Sequence, residues 1–587
     1  MSPRAARLRH RVPLVLVLTV LLVFGGRLVY VQAVQGADLA AAAREDRTRT
    51  STIRAPRGDI VDADGEILAT SVERFNVGVN QRLVRQYEAK DDDGEVTGTG
   101  PAAAAEALAP VLGKDKAELG AAMVGDSTFV YLAKGLTPEQ WRKVDALGIP
   151  GIEPEETTAR VYPNGTTAGN VIGFVGRDGE GLAGLELSYQ DQLTGTDGSL
   201  TVEIGATGQV IPTGRHEEVP AEAGQTVHTT LDRDLQHVAQ RSIDQAVADH
   251  GAEWGAVVVE EIGTGRILAL ADSATVDPGK YQEADPEDRG SRAVSTPYEP
   301  GSTGKLPTFA AALEEGTADP GTVFTVPDTL TMPNGQTFHD NSPHATHVLT
   351  TTGALQMSSN TATVQIGDTV SDRTRYDLMR RFGFGQRTGI ELPGESTGVL
   401  REPDGWDPRT RYTTMFGQGM SVTLLQNTSM VATLGNGGVR VDPRIVEGTT
   451  DGTGTFTETE TTPGEQVLSP ETAGTMLAMM ESVVADGGTG TRGAVPGYRV
   501  AAKTGTAEIP DAAGGLSNRL GSYVGVAPAE DPRVAVGVVV YRGAGTSYGG
   551  TVAAPTFSEV MGAALRDLGV PPSSEPAPHL PLAPGEG

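Results

Sequence analysis

A chain of 587 residues exceeds what one hydrophobic core organises and implies about two to four domains. Its 46 Lys and Arg against 75 Asp and Glu give a formal net charge of −29, which argues against nucleic acid as the main partner and suits a soluble surface with a neutral or cationic ligand. With no cysteine it has neither disulfides nor thiolate metal sites, and 76 Gly with 37 Pro mark a folded chain rich in loops.

The first residues, "MSPRAARLRHR", carry Arg4, Arg7, Arg9 and Arg11 without an acidic residue, and the uncharged run "VPLVLVLTVLLVFGG" follows. A signal peptide has this pattern, and "VQA" at residues 31–33 loosely fits a cleavage site. The apolar continuation "RLVYVQAV" brings the run close to the ~20 residues a bilayer needs, with Arg27 able to snorkel, and favours an uncleaved single-pass anchor over residues 12–34. The arginines then place residues 1–11 in the cytoplasm and the bulk of the chain outside the membrane.

Beyond the anchor, Pro56, Gly58 and Asp64-Gly65 punctuate short β-type runs, predicting a hairpin-rich module. The stretch "AKDDDGEVTGTGP" reads as a polar loop, because Asp91, Asp92 and Asp93 lack the ligand spacing of a calcium loop. Ala- and Leu-patterned helices follow to about residue 149, then strand and turn signals lead into a short helix.

A second compositional unit begins near residue 225 with a strand, a cap and an amphipathic helix carrying Leu235, Val238, Ile243 and Val247. "WGAVVVEEIGTGRILALAD" predicts two apolar strands joined at Gly263-Thr264-Gly265, helical segments fill residues 305–440, and three more strands precede a helix near residues 556–568. Strands at both ends of a helical middle predict a sheet assembled from distant segments. The stretch "DGTGTFTETETTPGEQ" reads as a mobile surface insertion, and the Pro-rich residues 571–587 as a disordered tail. In "HDNSPHATH", His339, His344 and His347 beside Asp340 are irregularly spaced, which favours ordinary loop histidines over metal ligands.

The stretch "YEPGSTGKLPTF" puts Ser302 and Lys305 three positions apart at a predicted helix start, so the amine can reach the hydroxyl. A serine hydroxyl is a weak nucleophile until a base takes its proton, and a lysine serves only if burial or another cation lowers its pKa. On its own the tetrapeptide is an ordinary helix start. "MSSNTA" adds Ser358 and Asn360, and "AAKTGTAEI" adds Lys503, Thr504, Gly505 and Thr506. Ser358 can relay a proton to a leaving amine, Asn360 can hold a substrate amide, and Lys503 attracts a carboxylate while disfavouring protonation of Lys305. Gly505 on a strand edge admits a substrate backbone, Thr504 and Thr506 offer hydroxyls to the carboxylate, and the backbone N–H groups of Ser302 and Thr506 suit an oxyanion hole.

Ser-x-x-Lys, Ser-x-Asn and Lys-Thr-Gly in that order resemble the penicilloyl-serine transferases. Over nearly its whole length the chain is similar to class B penicillin-binding proteins: "IRAPRGDIVDADGEILA", "RVYPNGTTAGNVIGFVG" and "GLAGLE" match the family's juxtamembrane and pedestal signatures, and "FGFG", "LPGES", "FGQGMSVT" and "NGG" match its transpeptidase domain. The short tail, single anchor and modest pedestal look most like the division type, FtsI-like. One departure is Gly304, where the family often carries Phe, which removes an aromatic anchor and adds local flexibility.

The resemblance implies a mixed α+β fold. A transpeptidase domain of the serine β-lactamase-like kind, with a central antiparallel sheet and a helical subdomain, occupies residues 223–570, behind one transmembrane helix and an elongated pedestal over residues 35–222. It implies a D,D-transpeptidase without cofactor or metal, cross-linking D-Ala–D-Ala stem peptides at the septum and acylated by β-lactams at Ser302. Ser302, Lys305, Ser358, Asn360 and Lys503 are then catalytic, and Thr504, Gly505 and Thr506 bind substrate. It implies partners too: a septal SEDS-type (FtsW-like) glycosyltransferase and single-span division proteins, at the division site. An elongation-type transpeptidase, a carboxypeptidase or β-lactamase-like hydrolase, and a non-catalytic scaffold or β-lactam sensor are the alternatives.

Overall fold

Alternation of buried residues explains the central sheet. In the segment WGAVVVEE, Ala256 and Val258 enter one apolar cluster while Val257 and Val259 enter another, as the period of two in a strand with both faces covered requires. The computed structural model describes residues 3–35, 47–205, 209–509, 518–544 and 548–586. It divides into two compact units that interleave along the chain: residues 1–56, 72–159 and 195–223, and residues 57–71, 160–194 and 224–587.

In the smaller unit the helix Pro3–Val29 continues as a wider turn over Tyr30–Val34, and the stretch Val12–Val34 is long and apolar enough to cross a membrane. Strands Thr48–Ile53, Gly198–Glu203 and His216–Val219 form an antiparallel sheet. The helices Gly100–Leu112 and Lys116–Ala122 bury Leu108 and Leu119 against Val77, Val79 and Leu132.

The larger unit holds an antiparallel sheet of five strands: β1 (Trp254–Glu261), β2 (Ile267–Asp272), β3 (Ala501–Ile509), β4 (Asn518–Ala527) and β5 (Val534–Ala544), in the spatial order β2-β1-β5-β4-β3. This is the sheet of distant segments expected from the sequence, with β3 at its edge. One face packs on α1 (Arg233–His250) through Leu235, Ala239 and Ile243, and on Phe557, Val560 and Met561 of the helix Ala554–Asp567. The other face meets a helical layer: α2 (Lys305–Glu314), α3 (Thr351–Met357), α4 (Asn360–Gly367), α5 (Leu424–Gly435) and α6 (Pro470–Val484).

The sequence reading gives a continuous pedestal over residues 35–222, whereas residues 57–71 and 160–194 lie in the larger unit. Apolar burial accounts for this, since Ile60, Leu68, Val171 and Leu185 share one cluster with Val227, Ala256 and Val258, and buried charge ties the two segments to each other. Glu186 is fully buried and accepts from Arg57 at 2.5 Å and Arg160 at 2.7 Å, which joins the juxtamembrane signature to "GLAGLE". Such a cluster is held by mutual pairing, since any member left alone would be an unpaired buried charge.

Two loop expectations are corrected. The stretch expected to be mobile forms strand Phe456–Glu458 on Val446–Thr450 and strand Glu465–Gln466 on Val439–Arg440. Residues 571–586, expected to be disordered, form no helix or strand but are bonded to the body. Proline lacks an N–H donor but keeps its carbonyl, and the carbonyls of Pro581 and Leu582 accept from Thr350 at 2.6 and 3.0 Å.

Candidate active site

A tight turn places the serine. Residues Gly301–Gly304 form a single 3-10 turn and Lys305 opens α2, so the side chains at positions i and i+3 nearly eclipse, a closer alignment than the α-helical start expected from the sequence. Gly301 has φ +54°, and a Cβ there would lie 2.3 Å from the Thr506 carbonyl oxygen. A Cβ on Gly304 would lie 2.6 Å from Gly417 Cα, and Gly301 N–H donates to the Gly417 carbonyl at 3.0 Å. The departure at Gly304 is therefore not a source of looseness: backbone packs directly on backbone where a phenylalanine has no room. Ser302 is half-buried at this turn and Lys305 is fully buried beneath it.

The Ser-x-Asn triplet joins two helices. Ser358 ends α3 with φ +57°, one of two non-glycine residues among those described with positive φ. That backbone costs on the order of 1–3 kcal/mol and persists where surroundings enforce it. Here both lysines do so: Lys305 Nζ donates to the Ser358 carbonyl and, at 3.2 Å, to its Oγ, while Lys503 Nζ donates to the same Oγ at 2.9 Å. Asn360 begins α4 and its amide donates to the His339 carbonyl at 3.1 Å.

Burial governs the charges. Desolvation pulls the Lys305 amine down to about 7, with the Asp340 carboxylate opposing, and it holds Lys503 well below the usual lysine range, with Lys305 adding repulsion. Amines this close titrate as a coupled pair, so a proton on one disfavours a proton on the other. Burial thus works against a charge on Lys503 and a facing anion would favour it, which amends the fixed positive charge expected from sequence.

Around Lys503, β3 is an edge strand that carries Thr504, Gly505 and Thr506. A Cβ on Gly505 would meet Ser522 Oγ at 2.2 Å and the Pro300 carbonyl at 2.8 Å. Its lack of a side chain admits the serine turn itself, a role the sequence reading assigned to substrate. Thr504 Oγ1 lies 3.0 Å from Thr489 Oγ1.

Two residues that support the site, Asp340 and Asn427, have no role in it on the sequence reading. Asp340 accepts from the backbone N–H groups of Asn360 at 2.5 Å and Thr361 at 3.0 Å, from Ser359 Oγ at 2.7 Å and from His344 Nε2 at 2.9 Å, clamping the start of α4. Asn427 of α5 donates to Thr303 Oγ1 and to the Tyr298 hydroxyl, both at 3.0 Å, beneath the serine turn. Neither could be placed from sequence, since Asp340 and Asn427 lie far along the chain from what they support.

Residues 255–562 match the penicillin binding protein transpeptidase domain and residues 52–229 the penicillin-binding protein dimerisation domain. Penicillin-binding protein PbpB of Mycolicibacterium smegmatis is 36% identical over 602 residues, covering 98% of this chain and 92% of that protein. Peptidoglycan D,D-transpeptidase FtsI of Escherichia coli is 32% identical over 562 residues, covering 94% and 90% respectively. The crystal structure of penicillin-binding protein 3 from Mycobacterium tuberculosis complexed with ampicillin superposes with a TM-score of 0.69 at 31% identity, covering 91% of this chain and all of that one. With the three motifs gathered at one site and both family domains present, the chain belongs to the class B penicillin-binding proteins, division type.

Proposed function

We propose that the chain is a peptidoglycan D,D-transpeptidase that cross-links stem peptides through an acyl-serine. The observation that carries this reading is the Ser358 hydroxyl shared by two buried amines, Lys305 at 3.2 Å and Lys503 at 2.9 Å. Lys305, held at about 7, takes the proton of Ser302 Oγ as that oxygen attacks the penultimate D-Ala carbonyl carbon. The C–N bond breaks, and the proton passes from Lys305 through Ser358 to the departing D-Ala amine. An amine of a second stem peptide then attacks the ester carbonyl, returning the proton to Ser302 and closing the amide.

The remaining site residues orient this chemistry. The terminal carboxylate meets Lys503, Thr504 and Thr506; its charge favours a proton on Lys503. Asn360 holds the peptide amide, the edge strand β3 offers backbone partners, and the Ser302 and Thr506 N–H groups stabilise the oxyanion. β-Lactams acylate Ser302 and stay, because their leaving group remains tethered.

Residues 1–11 are cytoplasmic, residues 12–34 cross the membrane, and the rest works outside at the division site beside a polytopic glycan polymerase of the SEDS type and single-span division proteins. Domain bounds of 35–222 and 223–570 describe the chain order of pedestal and transpeptidase. The test is intact-protein mass spectrometry with penicillin beside Ser302→Ala. A stable single adduct on Ser302, lost in the variant, is expected; no adduct overturns the catalytic reading, and an adduct lost within minutes points to a hydrolase.

A further inference from the structure

The terminal segment reaches two elements that carry site residues. At its start, the Ser573 N–H donates to the Gly497 carbonyl at 2.9 Å, and the Arg499 N–H donates to Ser573 Oγ at 2.9 Å. Four residues past Arg499, on β3, stands Lys503. At the other end, Thr350 Oγ1 donates to the Pro581 carbonyl at 2.6 Å and the Thr350 N–H to the Leu582 carbonyl at 3.0 Å. Thr350 caps α3, accepting from the Gly353 N–H at 3.0 Å, and α3 ends on Ser358.

The fit at the second end is close. A Cβ on Gly353 would lie 2.1 Å from the Leu582 carbonyl oxygen, and Leu580 packs on the apolar cluster that contains Ala354 and Leu355. The segment is closed on itself by Glu586, whose Oε2 accepts from the N–H groups of Leu582 and Ala583, both at 3.2 Å. Within α3, all residues but Met357 are buried, so the helix transmits a displacement of Thr350 to Ser358 as a rigid rod about 10 Å long.

We propose that residues 571–586 are a positioning strap, tying the segment that leads into Lys503 to the helix that ends on Ser358 and so setting the register in which both amines meet one hydroxyl. The proposal rests on the acyl-serine reading above. It assigns the strap no contact with substrate: its effect passes through Thr350 and α3. Misplacing a catalytic group by about 1 Å costs on the order of 100-fold in rate, so a loosened α3 is felt in the chemistry before it is felt in the fold.

The experiment compares the full membrane-anchored chain with one ending after residue 579, measuring the second-order rate of acylation by a fluorescent penicillin across pH, together with thermal melting. Leu580→Ser in the complete chain is the milder variant, should the shortened chain not fold. The expected result is acylation slower by on the order of tenfold, still on Ser302, with the pH midpoint moved upward as water reaches the Lys305 amine. Unchanged rate and midpoint, whatever the melting temperature does, overturn the strap. No adduct on the complete chain overturns the acyl-serine reading itself, and the strap with it.

Discussion

Lys305 and Lys503 converge on one hydroxyl, donating to Ser358 Oγ at 3.2 and 2.9 Å from opposite sides of the sequence. Neither amine is exposed at all; burial holds both below the usual lysine range, and the Lys305 charge adds to the lowering at Lys503. The shared hydroxyl gives the proton a path, and the depressed amines give it a base.

The first prediction concerns pH. Lys305 acts in its neutral form and titrates at about 7, so the acylation rate should rise about tenfold per pH unit below that value and level off above it. The rate of fluorescent-penicillin acylation from pH 5 to 9 checks this. A rate still rising tenfold per unit at pH 9, as a base with the ordinary lysine value of about 10.4 would give, would refute Lys305 as a base held at about 7.

The second prediction concerns Gly304. A Cβ added there would sit 2.6 Å from Gly417 Cα, so even Gly304→Ala must push the serine turn away from Gly417, and Gly304→Phe more so. Overpacking of this kind costs about 1–3 kcal/mol. Both variants should melt lower and acylate more slowly, in the order Gly, Ala, Phe. Faster acylation in Gly304→Phe would show that the family's aromatic residue is accommodated here after all.

How far the site could be read from sequence follows from the range of each interaction. Ser302 with Lys305 and the Lys503 strand were legible because local spacing and motif order carry them, and the five-stranded sheet because its strands are apolar on both faces. Asp340 was not, because a carboxylate that caps a helix start twenty residues on has no local pattern, and the histidines around it read as ordinary loop residues. Gly304 was misread for a related reason: its partner is a backbone at Gly417, and backbone contacts leave no side-chain signature. The strap failed on composition, since proline content reports the lack of donors but not the use of carbonyls.

Asp340 supports the third prediction. Four donors meet its carboxylate, and its charge raises the Lys305 pKa against the larger lowering by burial. Asp340→Ala should leave the α4 N-terminus unsatisfied, at about 1–3 kcal/mol, and lower the acylation rate. It should also move the pH midpoint of acylation below 7, because the opposing charge is gone. An upward midpoint would mean that water entry at Lys305 outweighs the lost carboxylate, and would refute the electrostatic role given to Asp340.

The last prediction reads stability instead of rate. Glu260 on β1 is buried between sheet and α5 with Ser429 Oγ donating at 2.7 Å, and desolvation raises it to about 7 from 4.5. Between those values the folded chain keeps a proton that the unfolded chain has released. Stability contributed by this group is therefore highest below pH 4.5, falls as pH rises toward 7, and is lower by a constant amount above it. The shift corresponds to roughly 3 kcal/mol. Glu260→Gln keeps an acceptor for Ser429 and cannot ionise, so its advantage in melting temperature over the parent chain should grow from pH 4.5 to 7 and then stay level. Asp272, raised to about 6 by burial, is common to both chains and cancels in the difference. A difference that does not vary with pH would mean that Glu260 is ionised throughout, with a counter-charge or water reaching it inside the fold.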